Sequence, residues 1–548
     1  MIKTDPIAIW NEYQLGTEYL LNHNVYETVK VNERFWDGKQ WDGLETKNMP
    51  TPVFNVLQRA GKYMVSTIGS NDVAVNITPF TQVADDIERM VPISKEIEHI
   101  IEQARMKEAS KTVIRNAFVD GSGYMMQSFN PDIETGQDAK GAIENQVIDN
   151  TCVYFGNPYS NDIQKQPYII VSLRQDIRQV KQEAKENGLS QEEINSIQPD
   201  NEGLQPNEQE AENLVTVLIK YFKKKTKVIE KDTMVDPETG LEIEIENEKE
   251  VTSVWFTKTT RELALIEPTD LGYKRYPIAC FGWDLIKNSY CYNSPMTSVI
   301  PNQIFINKCY AIAQMYGLQS AFPKIIFDKN KVQIEEFMNG TSPQAVAGID
   351  IAGKFIDFIK IPDFSNNIIE LAQDTMAQTK ECMGVTDASL GNVRPDNTSA
   401  IIALQESSAV PLEIQKQQFY VFWEDIVRNI LDIVSCSYGV RQVMTEDNQL
   451  AIVDFSMLRD LNYNLDVEIG NGAQFSEIAQ MNTLDKLVQA GYIDPGVYID
   501  VVPSKYIPQK SKLLKSYQER MAQMEAMAQQ PMESQSRGST TADEVVPL

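Results

Sequence analysis

Residues Ser294–Ala321 read "SPMTSVIPNQIFINKCYAIAQMYGLQSA" and carry a single charged side chain, Lys308. Apolar positions Ile304, Ile306, Tyr310, Ala313 and Leu318 keep helical spacing. At 1.5 Å of rise per residue the run predicts a helix roughly 40 Å long. A helix this free of charge is either buried in a core or forms a wall packed against neighbouring copies.

Downstream, a short mixed segment over 323–361 holds a strand at "PKIIFD", a helical turn around Val332–Met338 and a second strand near "FIDFIKI". A second helix is expected from Ser365 to Met383. A polar loop over 385–400 follows, containing "ASLGNVRPDNTSA". Next comes a helix from Ser399 to Cys436, about 55 Å by the same arithmetic, which Pro411 should kink by removing one hydrogen bond. Its residues Phe419, Phe422, Trp423, Ile426 and Ile430 share one face and read as intramolecular core first, inter-subunit contact second. One or two strands are expected over 440–469, then helices over 474–489 and 508–529, with Gly491 as a helix C-terminal residue. From Pro531 onward the composition is that of a disordered tail.

Upstream, residues 1–30 read as helical, through Ile9, Tyr13, Tyr19 and Leu20. The prolines of "MPTPVFN" make 49–55 extended. A helix over 53–68, a strand over 72–79 and a long amphipathic helix over 83–117 follow, the last through Ile87, Met90, Ile93, Ile97, Ile100 and Ile101. From 118 to 282 the pattern turns to short strands: "CVYFGN", "YIIVSLR", "VTVLIKYF", "VTSVWFT" and "LALIEP". One helix over 174–188 and a loose stretch over 196–212 interrupt them, and "VDPETG" is a turn signal. The lysines of "KYFKKKTKVIEK" read as a solvated strand edge kept from aggregating, in preference to a phosphate contact.

Composition narrows the function classes. A chain of 548 residues calls for two to four sub-domains. No stretch approaches the ~20 apolar residues of a membrane span. The start "MIKTDPIAIWNEY" lacks a signal peptide's apolar core, so a soluble protein made inside a cell is expected. Six cysteines without a CxxC pair argue against a zinc site or a disulfide framework and read as buried free thiols. The two histidines, His23 and His99, are too few and too far apart for a metal or acid–base centre. A formal net charge of −27 would on average repel a phosphate backbone. It serves solubility, and it also suits a surface past which DNA slides without sticking.

Phosphate-cradling GxxxxGK[ST], GxGxxG, HExxH and GxSxG patterns are all missing. Asp132 and Glu134 in "PDIET" form half of an acidic nuclease pattern, but no suitably spaced lysine completes it, and a solvated turn is the better reading. Phe35, Trp36 and Trp41 could stack on bases, yet anchors of a small core fit them better. No catalytic residue, metal ligand or cofactor site is assigned.

The run "NERFWDGKQWDGLETKNMPTPVFNVLQRAGKYMVSTI", residues 32–68, resembles the start of portal proteins of tailed double-stranded DNA bacteriophages. The order helix, compact α/β insert, helix, polar loop, long helix resembles their stem, clip, stem, tunnel loop and wing helix. The likeness covers about 10–525. It implies an α+β fold with a mixed α/β wing, a long helical stem, a small α/β clip and a helical crown. Mapped onto this chain, 1–292 is the N-terminal wing region, 293–322 a stem helix, 323–362 the clip and 363–384 the second stem helix. The tunnel loop is 385–400, the long wing helix and C-terminal wing strands are 401–469, the crown is 470–530 and the tail 531–548.

What the resemblance implies functionally is a ring, usually a dodecamer, at one capsid vertex. Viral DNA is driven through its channel by the terminase and later ejected, and head-completion and tail adaptor proteins attach to it. Major capsid and scaffold proteins, and double-stranded DNA bound without sequence specificity, complete the implied partners. The implied location is the virion's portal vertex after synthesis in the host cytoplasm, with no membrane involved. In the channel-lining loop the resemblance points to Asp387, Ser389, Asn392, Arg394, Asp396 and Asn397. In the clip, as contacts to motor or adaptor, it points to Lys324, Asp328, Lys329, Lys331, Glu335 and Glu336.

The loop's chemistry fits such a place: Arg394 can make a passing phosphate contact while Asp387 and Asp396 limit the grip, because many neutralised phosphates would stall transport. Without the resemblance, 385–400 would read as an ordinary connection between helices. Two rival functions stand beside this one: another virion connector or minor head protein, and a terminase-like nuclease or ATPase. The first would form an oligomer without an axial hole; the second would hydrolyse ATP.

Overall fold

In the computed structural model the described residues are 4–46, 49–69, 72–79, 84–200 apart from 138, 213–235, 242–321, 325–328, 330, 345–348, 356–358, 367–385, 410–444, 450–459, 463–470, 484–493, 495–502 and short pieces between 510 and 521. Two compact units divide the chain, Met1–Gly470 and Asn471–Leu548.

The chain enters through α1 (Pro6–Asn22), whose start is fixed by the Asp5 carboxylate accepting from the Ile7 and Ala8 amides with Pro6 in the first turn. The single helix expected over 1–30 is broken: Asn24 adopts a left-handed conformation (φ 54°) and α2 (Val25–Trp36) restarts after it. The same device splits the helix expected over 83–117. Arg105, at φ 49°, separates α4 (Ala84–Gln103) from α5 (Met106–Asp120). In both places apolar periodicity runs straight through a helix break that it does not encode. Between them lie α3 (Val56–Gly69) and β1 (Asp72–Pro79), at the positions the sequence predicts.

The β-rich region forms two antiparallel sheets. β2 (Ser122–Asn130) lies between β3 (Ala142–Asp149) and β9 (Ile278–Gly282). The strands β4 (Val153–Phe155), β5 (Tyr168–Asp176), β6 (Leu214–Val235), β7 (Glu242–Thr259) and β8 (Ala264–Tyr273) pair in sequence order as a five-stranded meander. Two helices, not one, interrupt them: α6 (Ile177–Glu186) and α7 (Gln191–Ser196), the latter opened by a Ser190–Glu193 capping box. β10 (Asp284–Leu285) and β11 (Tyr292–Asn293) make a short ladder leading into α8 (Pro295–Ala321).

Beyond α8, β12 (Ile325–Asp328) pairs in parallel with β13 (Ala345–Gly348) and antiparallel with β14 (Ile356–Phe358). The sequence reading had two of these strands and missed β13; the helical turn it placed at Val332–Met338 lies outside the described residues. α9 (Asn367–Cys382) and α10 (Glu413–Ser437) follow. Pro411 does not kink the described part of α10: it sits in a 3-10 turn, Val410–Leu412, directly before the helix, where its missing amide hydrogen costs nothing. The rest of the expected 399–436 helix, 399–409, lies outside the described residues.

Three strands then close the first unit: β15 (Val440–Met444), β16 (Leu450–Asp454) and β17 (Tyr463–Gly470). β17 pairs antiparallel with β1 from Asp72–Gly470 to Pro79–Tyr463, tying the two ends of the unit together across almost four hundred intervening residues. In the second unit a helix over 484–489 ends at Gly491 (φ +77°), as the sequence predicts, with the Tyr492 amide donating to the Leu487 carbonyl. A short helix, Pro495–Val501, was not foreseen, and the expected tail from 531 lies outside the described residues.

The core of the first unit gathers Trp36, Phe118, Tyr124, Phe281 and Trp283 with the predicted α10 face Phe419, Phe422, Trp423, Ile426 and Ile430, all buried. The Phe281 and Phe419 rings meet edge to face at 5.9 Å, an arrangement aromatic quadrupoles favour. Phe35 and Trp36 are core anchors, while Trp41 donates to the Pro52 carbonyl at 2.9 Å. The cysteines depart from expectation. Cys291 and Cys309 are buried, Cys152, Cys280 and Cys436 only partly, and Cys382 is exposed on α9.

Candidate functional site

Two helices in contact, α8 and α9, flank the β12–β14 sheet in sequence, and the segment 386–409 joins α9 to α10. The first half of α8 is buried through Met296, Val299, Ile300, Ile306 and Cys309. Ile304, Phe305, Ile312 and Leu318 are exposed. Of the apolar residues used to predict the helix, Ile306 therefore faces the core, while Ile304 and Leu318 do not. α8 is apolar on two sides, and one chain covers only one of them.

What holds α8 in place is polar. Gln303 and Asn307, one turn apart and buried, form a ladder towards the segment that precedes α3. The Gln303 amide donates to the Phe54 carbonyl (2.7 Å) and to Asn307 Oδ1 (3.0 Å), and its oxygen accepts from the Val56 amide (3.1 Å). Asn307 Nδ2 donates to Gln40 Oε1, whose own amide donates to the Phe35 carbonyl at 3.1 Å. Each buried polar atom here has a partner, which is the condition for such a ladder to stabilise and not destabilise. Neither residue was singled out from the sequence. The available signal was weak: two amides four apart in a helix that also carries Asn302, Gln314 and Gln319. At the other end of the pair, Asn302 Nδ2 donates to Thr379 Oγ1 at 3.2 Å, joining α8 to α9.

The root of the polar loop is closed. α9 terminates with Gly384 at φ +70°, and the Val385 amide reaches back to the Lys380 carbonyl at 2.9 Å. Met383, Val385 and Leu412 are buried in the core, so the chain leaves at Val385 and returns at Val410 on one anchored base. The loop residues Asp387, Ser389, Asn392, Arg394, Asp396 and Asn397 lie outside the described residues. So do the clip residues Lys324, Lys329, Lys331, Glu335 and Glu336. Asp328 is buried at the end of β12, and its Oδ1 accepts from the Asn330 amide at 2.9 Å, which shapes the turn there.

A charged cluster, partly buried, gathers on α5. Arg115 makes a two-pronged ion pair with Glu33, and Asn116 donates to Asp149 at 2.9 Å. Asp120, close by, has its carboxyl pushed up to about 9 by burial first and then by the charge of Glu33, against the pull of Arg115. Asp432 accepts from the Lys274 and Arg275 amides at 2.7 and 2.8 Å, and Asp425 pairs with Arg275. These are fastenings between elements: α10 to the strand end before β9, and α2 to α5.

The remaining candidates resolve as structural. His23 Nδ1 lies 2.8 Å from the Tyr19 carbonyl, and His99 is an exposed partner of Glu96. Asp132 and Glu134 are exposed in a turn. On β6, Lys220 and Lys223 lie over the rings of Tyr168 (4.6 Å) and Tyr276 (4.8 Å), and Lys223 donates to the Gln164 carbonyl at 2.7 Å. Among the described residues no cluster of three His, Cys, Asp or Glu side chains could hold a metal ion, and no helix is long and apolar enough to cross a membrane. The arrangement offers a helix with an exposed apolar side, a small sheet, an anchored base at Gly384 and Val385, and inter-element fastenings.

In comparison with known families, the model for phage P22-like portal proteins matches residues 14–543. No curated protein matches the chain.

Proposed function

Because the chain belongs to the phage P22-like portal protein family, a structural component of the virion's head–tail connector used in DNA packaging, we propose that it acts as a closed ring at the capsid vertex. Through this ring the terminase drives double-stranded DNA, and the genome later leaves. Twelve copies are the proposed number. The single observation that carries the reading is the family match along nearly the whole chain; the element order over 295–437 supports it.

In this reading α8 and α9 are the stem and 323–362 the clip, with 363–384 completing the second stem helix. The crown is 470–530. The exposed Ile304, Phe305, Ile312 and Leu318 of α8 meet the neighbouring copy, which explains an apolar surface on a chain of net charge −27. The loop 385–400 projects into the channel, with Asp387, Ser389, Asn392, Arg394, Asp396 and Asn397 lining it. Gly384 and the buried Val385 anchor the base from which it leaves. Lys324, Lys329, Lys331, Glu335 and Glu336 face the terminase or an adaptor protein, together with Asp328, whose carboxylate also accepts from the Asn330 amide. Scaffold and major capsid proteins surround the ring, and the chain performs no catalysis of its own.

Negative-stain electron microscopy of the purified protein tests this. Class averages down the ring axis should show closed rings with a hole wide enough for duplex DNA, and their symmetry counts the subunits. Compact oligomers without a hole would favour the connector or minor head protein, and ATP hydrolysis by pure protein would favour the motor enzyme.

A further inference from the structure

The hairpin β6–β7 outruns its sheet. β5 pairs with β6 only as far as Phe222, and β8 pairs with β7 only from Val254 onward. The pairs from Lys224–Ser253 to Val235–Glu242 therefore form a two-stranded ribbon with no third strand on either side among the described residues. These twelve pairs extend about 40 Å at ~3.3 Å per residue. A two-stranded ribbon of that length is marginal in water by itself, and its two rows of unpaired backbone groups are templates for another strand.

The edges differ in charge. Residues 224–235 of β6, "KKTKVIEKDTMV", hold four lysines against Glu230 and Asp232. Residues 242–253 of β7, "EIEIENEKEVTS", hold five glutamates, at every second position from Glu242 to Glu250, against Lys249. One edge is basic and the other acidic. The ribbon as a whole carries five lysines against seven acids, which disfavours nucleic acid as its partner. It does suit a surface that is complementary to itself when copies stand side by side in one sense.

We propose that this ribbon is an inter-subunit clasp: the basic β6 edge of one copy adds to the acidic β7 edge of the next, and repetition around the ring builds a continuous antiparallel sheet. The inference rests on the ring reading above. Its geometry is consistent with a rotational ring, because β6 and β7 are antiparallel and a neighbour in the same orientation presents its β6 antiparallel to the first copy's β7. The contact is heterologous and closes only by rotation. Main-chain hydrogen bonds supply the attachment and the Lys–Glu pairs set its register. Within one copy, Lys225 and Glu250 already approach to 3.8 Å as an exposed pair, the kind that contributes little alone.

Three full-length variants test it by sedimentation velocity. K225E/K227E/K231E makes both edges acidic; E246K/E248K/E250K makes both basic; the third variant combines all six changes. Wild type should sediment as a ring and each triple variant mostly as monomer. A 1:1 mixture of the two triples, and the six-fold variant alone, should return to rings. Rings from either triple variant alone would overturn the clasp and leave the ring reading standing. Rescue by the six-fold variant but not by the mixture would also overturn it, since that would trace the effect to the hairpin's own charge balance. A wild type that forms no ring would overturn both proposals.

Discussion

A β-carbon built on Gly384 would lie 3.0 Å from Cβ of Pro411, so the last turn of α9 and the turn that opens α10 touch where the intervening segment leaves and re-enters the core. Gly384 also sits at φ +70°, a backbone region that side chains enter at a cost. Gly384→Ala should therefore destabilise the first unit by roughly 1–2 kcal/mol, read as a lower urea midpoint. Wild-type stability in that variant would mean the two ends are not in contact.

The ladder on α8 makes a second prediction. Gln303→Leu keeps the volume but strips partners from the Phe54 carbonyl and the Val56 amide. A loss of about 1–3 kcal/mol is expected for partners left unsatisfied. Ile304→Gln, one residue along but exposed, should stay within about 0.5 kcal/mol of wild type in the monomer. Equal effects at the two positions would contradict the placement of α8.

Stability should fall as the pH rises through the range set by Asp120. Its carboxyl is raised from 3.8 to about 9 in the fold, so the folded state holds a proton that the unfolded state has released. The contribution is fully present below about pH 4 and is lost progressively up to about pH 9. Asp120→Asn, which keeps a neutral side chain beside Glu33, Arg115 and Asp149, should flatten thermal stability across that range. An unchanged slope would place the pH dependence elsewhere.

Arg394→Ala should leave ring assembly intact and alter DNA packaging or retention, as expected of a loop that touches passing phosphate. Loss of folding in this variant would mean that the loop belongs to the core and not to a channel.

Ring formation should be favoured by moderate salt. Twelve copies carry 12 × −27 = −324 formal charges, and raising ionic strength from about 0.01 to about 0.1 M shortens the screening length from about 30 to about 10 Å. Clasp pairs held at cross-strand distance are screened less than this long-range repulsion. A ring fraction that drops over that interval in sedimentation would count against the prediction.

Much of the element list was legible in the sequence. The strand over 72–79, the near-uncharged helix over 295–321, the buried aromatic face of α10 and the helix stop at Gly491 follow from local spacing and from glycine's freedom at positive φ. Those signals depend on neighbours within a few residues, so they survive without the fold. The breaks at Asn24 and Arg105 were not legible, because apolar spacing continues through both and neither an asparagine, which tolerates the left-handed region, nor an arginine marks a stop as glycine does. β13 was missed because four small residues carry no periodicity.

Tertiary structure alone decided which side of α8 is covered, because apolar and amide side chains lie all round this nearly uncharged helix and mark no single face until something packs on it. It alone paired β1 with β17, set Gly384 against Pro411 and joined Gln303 to the segment before α3. Each of these depends on two distant stretches meeting, and a hydrogen bond or van der Waals contact leaves no mark on either stretch taken singly.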